Sequence, residues 1–284
     1  MARAPVVLIT GASGFLATRL LPIGAERATI VATSRSRPAA LPVGVDWHSV
    51  DLRDGGLADQ LVAEVSPQAI IHCAAVNPQP GADFSVNVEV AAIIAGAAAR
   101  HRARLVHVSS DIVHSGEVAP YDDDAEPDPI NDYGHSKADA EASVLASSPE
   151  AAVVRTSLIY GLESIDRGTA GFAHKLASGE TLSLWDDAMR QPVWIDALSE
   201  GLLRLALDIR EVNGPLNLAG EQTLSRAAFG RRMLEFWGVD TTNLELGSAA
   251  DVVGQPLDLT MTFDRARSLD LSLDGVDEVV GRHR

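Results

Sequence analysis

Residues 5–17 constrain this chain more than any other stretch. Pro5-Val6-Val7-Leu8-Ile9-Thr10 is an apolar run of strand length. Gly11-Ala12-Ser13-Gly14-Phe15-Leu16-Ala17 follows it and leads into a helical pattern through Leu20 and Leu21. Strand, glycine turn and helix, in that order, are the context in which a glycine motif binds phosphate. Gly11 permits the tight turn, and Gly14 lets a pyrophosphate approach the backbone. The N–H groups opening the helix then attract the anion. Gly11, Ser13, Gly14, Phe15 and Leu16 are therefore candidate dinucleotide contacts. The third glycine of the pattern is Ala17 here, still small enough for close helix–strand packing. The same residues would also make a βα turn without a ligand.

The first half of the chain continues in this rhythm. Strand patterns at 5–10, 28–33, 45–50, 69–73, 104–109 and 151–155 alternate with helical patterns at 14–22, 57–65, 86–100 and 133–147. Such alternation predicts an α/β fold, a doubly wound parallel sheet with helices on both faces. Ligands of such sheets bind beyond the carboxyl ends of the strands. Asp51, Ala74, Ala75, Ser109 and Ser110 fall at those ends. The irregular stretch 114–132 is long enough to read as a functional loop. Its Asp122-Asp123-Asp124 run reads as a solvated face rather than a metal site.

With 284 residues and 46% hydrophobic content, the chain can bury an ample core. No apolar stretch approaches the roughly 20 residues of a membrane span. Cys73 is the only cysteine, which rules out an internal disulfide and a cysteine-rich metal site. We expect a cytoplasmic protein with no metal and no membrane partner. The formal charge of −16 argues against nucleic acid, which needs a basic surface.

Of the 23 Lys and Arg residues only two are Lys, and only three residues are Tyr. Yet Lys137 stands four residues after Tyr133, in Asn131-Asp132-Tyr133-Gly134-His135-Ser136-Lys137. On a helix these positions share a face. A nearby ammonium favours phenolate and lowers a tyrosine pKa from about 10. A tyrosine tuned in this way serves as a general acid or base. The alternative is an ordinary exposed Tyr and Lys.

The second strand ends in Thr33-Ser34-Arg35-Ser36-Arg37. In a dinucleotide fold this position meets the adenosine ribose. An acid there would accept from the 2′-hydroxyl, whereas arginine accommodates a 2′-phosphate. Arg35 and Arg37 therefore predict that NADP(H) is preferred and NAD(H) is possible. Two solvated loop arginines remain the plainer reading.

Together these pieces resemble the extended short-chain dehydrogenase/reductase superfamily, and within it the dTDP-4-dehydrorhamnose reductase-like (sugar-nucleotide reductase) family. The resemblance rests on Ser109-Ser110-Asp111-Ile112-Val113-His114, Tyr121, Pro129–Gly134, Val154–Gly161, Gln191–Asp196, Asn217–Gly220 and Asp264–Leu269. It implies a Rossmann-type domain over 1–160 plus about 191–218, and a substrate-binding domain over about 161–190 and 219–284. The chain departs from the family pattern at Ala17, Ile112, His114 and Ala140. Ile112 and His114 lie towards the substrate and leave the sugar open.

By this resemblance Tyr133 protonates a ketone oxygen, Lys137 holds the nicotinamide ribose and tunes Tyr133, and Ser110 hydrogen-bonds the substrate oxygen. Asp51 and Leu52 flank the adenine. Ser109, Ala74 and Ala75 line the cofactor. Ser110, Asp111, Tyr133, Lys175 and Arg190 face the substrate, a nucleotide sugar. Asp111 could equally be structural, and Lys175 a solvated lysine. Gly171–Leu176 reads as a helix start, and 192–209 as a strand edge followed by a helix. The expected activity is NADPH-dependent reduction of a nucleotide-linked 4-keto sugar. Two alternatives are an epimerase or dehydratase of the same superfamily and a non-catalytic NADP-binding regulatory subunit. The Ala-rich helix over 88–99 has a flat apolar face, either core or the seam of a homodimer.

Overall fold

A computed structural model describes residues 4–283. In chain order the elements are β1 (Val6–Thr10), α1 (Ala17–Ala25), β2 (Thr29–Ser34), β3 (Asp46–Ser49), α2 (Gly55–Val65), β4 (Ala69–His72), α3 (Ser85–His101), β5 (Arg104–Ser110), α4 (Asp132–Ser147) and β6 (Ala152–Thr156). Then follow β7 (Ile159–Tyr160), α5 (Arg167–Ala177), β8 (Leu182–Trp185), β9 (Met189–Arg190), β10 (Val193–Trp194), α6 (Ile195–Leu207), β11 (Gly214–Asn217), β12 (Leu224–Ser225), α7 (Arg226–Phe236), β13 (Leu244–Gly247), α8 (Asp264–Ser268) and α9 (Val276–Arg282). The chain divides into two compact units. The first holds residues 1–110, 132–155 and 198–216, and the second holds 111–131, 156–197 and 217–284.

The first unit is a seven-stranded sheet in the order β11-β6-β5-β4-β1-β2-β3. The registers of β1 with β2 and β4, β2 with β3, and β4 with β5 are all parallel. This is the predicted doubly wound, Rossmann-type arrangement. The six expected strands lie within a residue or two of their expected positions, since buried parallel strands are near-continuous apolar runs; the edge strand β11 (Gly214–Asn217) was not expected. Val7, Leu8, Ile9, Ile70 and Ile71 have no exposed surface at all. One face of the sheet is covered by α2, α3 and α4 around Leu61, Val62, Ile94, Ala98 and Val144. α1 and α6 belong to the same unit. Gly24 of α1 leaves room for the Leu203 side chain of α6, and Arg27 pairs with Glu200 and Asp208.

The Ala-rich stretch of α3 buries Val90, Ala91, Ile94, Ala95, Ala97 and Ala98 within this core. The face left open for a homodimer is therefore interior packing. Small side chains let α3 and α4 approach closely, a use of alanine that a flat apolar stripe does not distinguish from an interface.

The second unit is built from short pieces. β8 pairs with β13, β9 with β12 and β10 with β7. Leu176, Leu182, Leu184, Leu234 and Leu244 form one apolar cluster, and Tyr160, Met233, Val276, Val279 and Val280 another. α5 starts at Arg167 rather than at Gly171, because Asp166 caps it by accepting from the Thr169 N–H at 2.9 Å. The loop 114–131, expected to be functional, is tied down internally. The Tyr121 hydroxyl accepts from Gly116 and Val118 N–H, and Asp128 accepts from the Ser115 hydroxyl. Of the acidic run, Asp123 is buried and accepts from the Asn217 N–H at 2.5 Å, while Asp122 and Asp124 are exposed. Among the described residues no group of acids, histidines and cysteines could hold a metal, and no helix is long and apolar enough to cross a membrane.

Candidate active site

The strand order reverses direction between β1 and β4, and this is where ligands of a doubly wound sheet bind. Gly11 follows β1 with φ +76°, a conformation that favours glycine. A Cβ on Gly11 would lie 2.8 Å from the Ala74 nitrogen and 2.9 Å from its Cα. Gly11 is thus required by backbone conformation and by the approach of the β4 end, beyond the tight turn alone. The Gly14 N–H closes the turn on the Gly11 carbonyl at 2.8 Å, and the Ala12 N–H donates to Thr33 at the end of β2 at 3.0 Å. Gly14, Phe15 and Leu16 belong to the turn, and α1 begins at Ala17 rather than at 14. No side chain caps α1, and the Thr18 and Arg19 N–H groups donate to the Phe15 and Leu16 carbonyls at 3.0 and 3.3 Å. Ser13 is exposed at the turn.

Tyr133 and Lys137 stand in the first two turns of α4, as their spacing predicted. Lys137 is only 4% exposed, and its Nζ donates to the Val108 carbonyl at 2.8 Å. Burial pushes its pKa from 10.5 down to about 8, with the Glu141 carboxylate acting in the opposite direction. Tyr133 is half-buried, its ring 5.5 Å from that of Phe84. Ser110, half-buried, ends β5 in the same unit. The β5 residues Val108, Ser109 and Ser110 thus include the acceptor for Lys137 and the candidate catalytic serine. Ser109 takes a different part from the one expected. It is buried, and its hydroxyl donates to Glu141, so only its backbone is left for a cofactor.

Other residues escaped the sequence reading. The Asn87 side chain bonds both backbone groups of Val76, and its Nδ2 also donates across to α4, to Ser136 Oγ at 3.1 Å. It fixes the segment after β4 against α4. A lone asparagine on an otherwise apolar helix face was the available signal. Glu141 and Arg155 form an ion pair at 2.9 Å with 3% and 2% of their side chains exposed. Thr10 accepts from the Ala74 N–H at 3.3 Å and bonds His72 Nδ1 at 2.7 Å. Ala74 is half-buried against Gly11, and Ala75 is exposed.

At the end of β2, Arg35 and Arg37 are both exposed. Trp47 of β3 donates its indole N–H to Ser34 at 3.0 Å, and the Arg37 guanidinium lies 5.4 Å over the Trp47 ring. Asp51 is engaged by Arg53, whose Nε and Nη2 donate to the carboxylate at 3.0 and 2.5 Å. That pairing holds the Asp51 carboxyl down at about 2. Leu52 is buried in the sheet core, its side chain packed inward.

In the second unit, Asp111 accepts from the Ser157 hydroxyl at 2.6 Å, and Ser157 accepts from the Gln191 N–H. The Gln191 side chain in turn bonds both backbone groups of Met261. Asp111 therefore has the structural partner that its sequence left open. Arg190 is 3% exposed, and its guanidinium donates to the carbonyls of Met189, Pro256 and Leu257. Those bonds give Arg190, expected to face the substrate, three backbone partners of its own. Arg226, not singled out from sequence, lies 5.3 Å over the Trp185 ring, and burial followed by repulsion from Arg190 lowers its pKa. Lys175 is exposed in the last turn of α5.

Residues 5–255 match the family model described as the RmlD substrate binding domain. The chain is 31% identical to a dTDP-4-dehydrorhamnose reductase of Mycobacterium tuberculosis over 87% of its own length and 81% of the relative's. It is 27% identical to methionine adenosyltransferase 2 subunit beta of Rattus norvegicus over 87% of this chain and 77% of that one. A solved dTDP-4-dehydrorhamnose reductase from Bacillus anthracis in complex with NADP shares the fold with a TM-score of 0.82, at 23% identity over 98% of each chain. Family model, relative and fold agree: the chain belongs to the RmlD, dTDP-4-dehydrorhamnose reductase-like family of the extended short-chain dehydrogenase/reductases.

Proposed function

We propose that this chain is an NADPH-dependent reductase of a nucleotide-linked 4-keto sugar. The observation that carries the reading is Lys137, buried and pinned to the Val108 carbonyl one helical turn from Tyr133. A lysine so deeply placed is costly unless its charge is used.

The first unit fits NADP(H). Gly11 and Gly14 have no side chains to obstruct a pyrophosphate approaching the turn, and the positive end of the α1 dipole faces that turn. Arg35 and Arg37 supply cations for a 2′-phosphate. When bound, the cofactor supplies hydride to the ketone carbon. Tyr133 gives its phenolic proton to the ketone oxygen, so the carbonyl becomes a secondary alcohol, and the phenolate is reprotonated from water. Lys137 as an ammonium stabilises that phenolate, and its Nζ has donors to spare after Val108 for a ribose hydroxyl. Ser110 holds and polarises the carbonyl through its hydroxyl. Lys175 and Arg226 are the cations of the second unit proposed to meet the diphosphate, while Arg190 ties together the Met189, Pro256 and Leu257 carbonyls. The nucleotide-sugar substrate class follows the activity named for the mycobacterial relative.

The test is a screen of purified protein for NADPH oxidation against nucleotide-4-keto sugars, with simple ketones as controls. Stoichiometric NADPH consumption with one nucleotide sugar supports the reading. Turnover without net consumption would instead indicate an epimerase or dehydratase. Tight NADPH binding with no turnover on any of them would indicate a cofactor-binding subunit.

A further inference from the structure

The core beneath α4 contains an ion pair that the proposed chemistry does not use directly. Glu141 lies four residues after Lys137 and therefore on the same face of α4. Arg155 of β6 grips its carboxylate with Nε at 3.3 and 3.2 Å and Nη2 at 2.9 Å. The Ser109 hydroxyl donates to the same carboxylate. β5 therefore anchors both Lys137 and Glu141 with adjacent residues. The Val108 carbonyl takes the Lys137 amine, and the Ser109 side chain takes Glu141.

We infer that Glu141 is a positioning residue: a buried counter-ion, anchored by Arg155 and Ser109, that holds Lys137 in its charged form one turn from Tyr133. The inference rests on the reductase reading only for its purpose, and not for its test.

The surroundings of Lys137 make this assignment specific. The titratable groups that interact with it are Cys73 at the end of β4, His72 within β4, His107 within β5 and Glu141 on its own helix. Tyr133 precedes it by one turn, and Arg155 reaches it through Glu141. Burial drives His72 down to about 3 and His107 well below 6.5, so both imidazoles are neutral near pH 7. Burial drives the Cys73 thiol up to about 12, so it too is neutral. Among these neighbours Glu141 alone brings a negative charge. Lys137 would otherwise face a desolvated interior, the condition that drives buried lysines to the neutral amine. Arg155 and Ser109 supply the hydrogen-bond donors that a buried carboxylate requires.

A buried ion pair can also serve structure alone, and the experiment separates the two roles. The chain has only two lysines, Lys137 and Lys175. Labelling lysine at Cε with carbon-13 therefore yields two resonances, with exposed Lys175 as the internal reference. The pH titration of Lys137 is followed in wild type, Glu141→Gln, and Glu141→Gln/Arg155→Met. The double variant removes both charges and leaves neither buried alone, a replacement that buried ion pairs often tolerate. The expected result is a wild-type midpoint near 8, falling by about 1–3 pH units in both variants. The alkaline limb of kcat should move down by the same amount. A double variant whose Lys137 titrates as in wild type would overturn the proposal and leave the pair a structural one. If neither variant folds, the wild type still decides, because a Lys137 already neutral at pH 7 also overturns it. The titration needs no substrate, so failure of the proposed activity and failure of this inference are read separately.

Discussion

The buried histidine of β4 allows an acid-stability prediction to be worked from structure. His72 is 1% exposed between β1 and β5, its ring 5.2 Å from that of His107. The Thr10 hydroxyl bonds His72 Nδ1 at 2.7 Å and accepts from the Ala74 N–H. Burial first, and Lys137 second, lower the His72 pKa from 6.5 to about 3. A histidine with a depressed native pKa leaves the unfolded chain with more bound protons between those two values. Stability must therefore fall as pH drops from about 6.5 towards 3. For that gap the loss is about 2 kcal/mol by pH 5 and about 3 kcal/mol by pH 4. The perturbation is His72→Asn, whose amide oxygen can accept from Thr10 but does not titrate. Urea denaturation followed by tryptophan fluorescence at pH 7, 6, 5 and 4 gives the slope for each protein. His107 contributes to both slopes, so their difference isolates position 72 together with its repulsion of His107. We expect the wild type to lose about 2 kcal/mol more than the variant between pH 7 and pH 5. Curves that fall in parallel would refute the reasoning.

Three further outcomes are expected. Tyr133→Phe should lower kcat by about 10²–10⁴-fold while NADPH binding, read by fluorescence titration, stays close to wild type; retention of most of the turnover sinks the proton-donor role. Arg35→Ala should weaken NADPH binding by about one to two decades and leave NADH binding unchanged, since only the 2′-phosphate contact is lost; equal affinity of the wild type for both cofactors contradicts it. Gly11→Ala puts a methyl group against Ala74 at a φ of +76°, so cofactor affinity and thermal midpoint should fall together, and an unchanged midpoint would show that the β4 end can yield.

Strands β1, β2, β4, β5 and β6 were readable because each carries an apolar run closed by glycine or a polar turn, whereas β11, only Gly-Pro-Leu-Asn, was not. The register of those runs determines which residues reach the carboxyl ends. Tyr133 and Lys137 were readable because a helix converts a spacing of four into proximity. The two-residue strands of the second unit were not, since their pairing is decided by partners dozens of positions away. Met189 and Arg190, for instance, meet Ser225 and Leu224. The start of α5 was missed because a single aspartate at 166, and no periodicity, sets it. Arg190 shows a second limit: a guanidinium bound to three carbonyls and one facing a ligand look identical in sequence. Glu141 and Arg155 show a third. A charged residue on a helix is ordinarily solvated, and only the neighbouring strand reveals that this one is interior.

Each unit is stitched from three separate stretches, and this orders events on the ribosome. When residue 110 has emerged, β1 to β5 are complete but the outer edge of β5 has nothing to pair with. β6 arrives only at Ala152, and the flanking β11 only at Gly214. An unpaired apolar edge is a template for illicit pairing, so the nascent sheet stays vulnerable for roughly the span of a hundred further codons. The second unit waits longer still. Tyr121 pairs with Met261 and donates its N–H to Thr260, residues that emerge well over a hundred positions after it. No early stop codon or simple gene bisection can therefore yield either unit whole. Shortened products should surface as clients of chaperones or proteases rather than as free-standing domains.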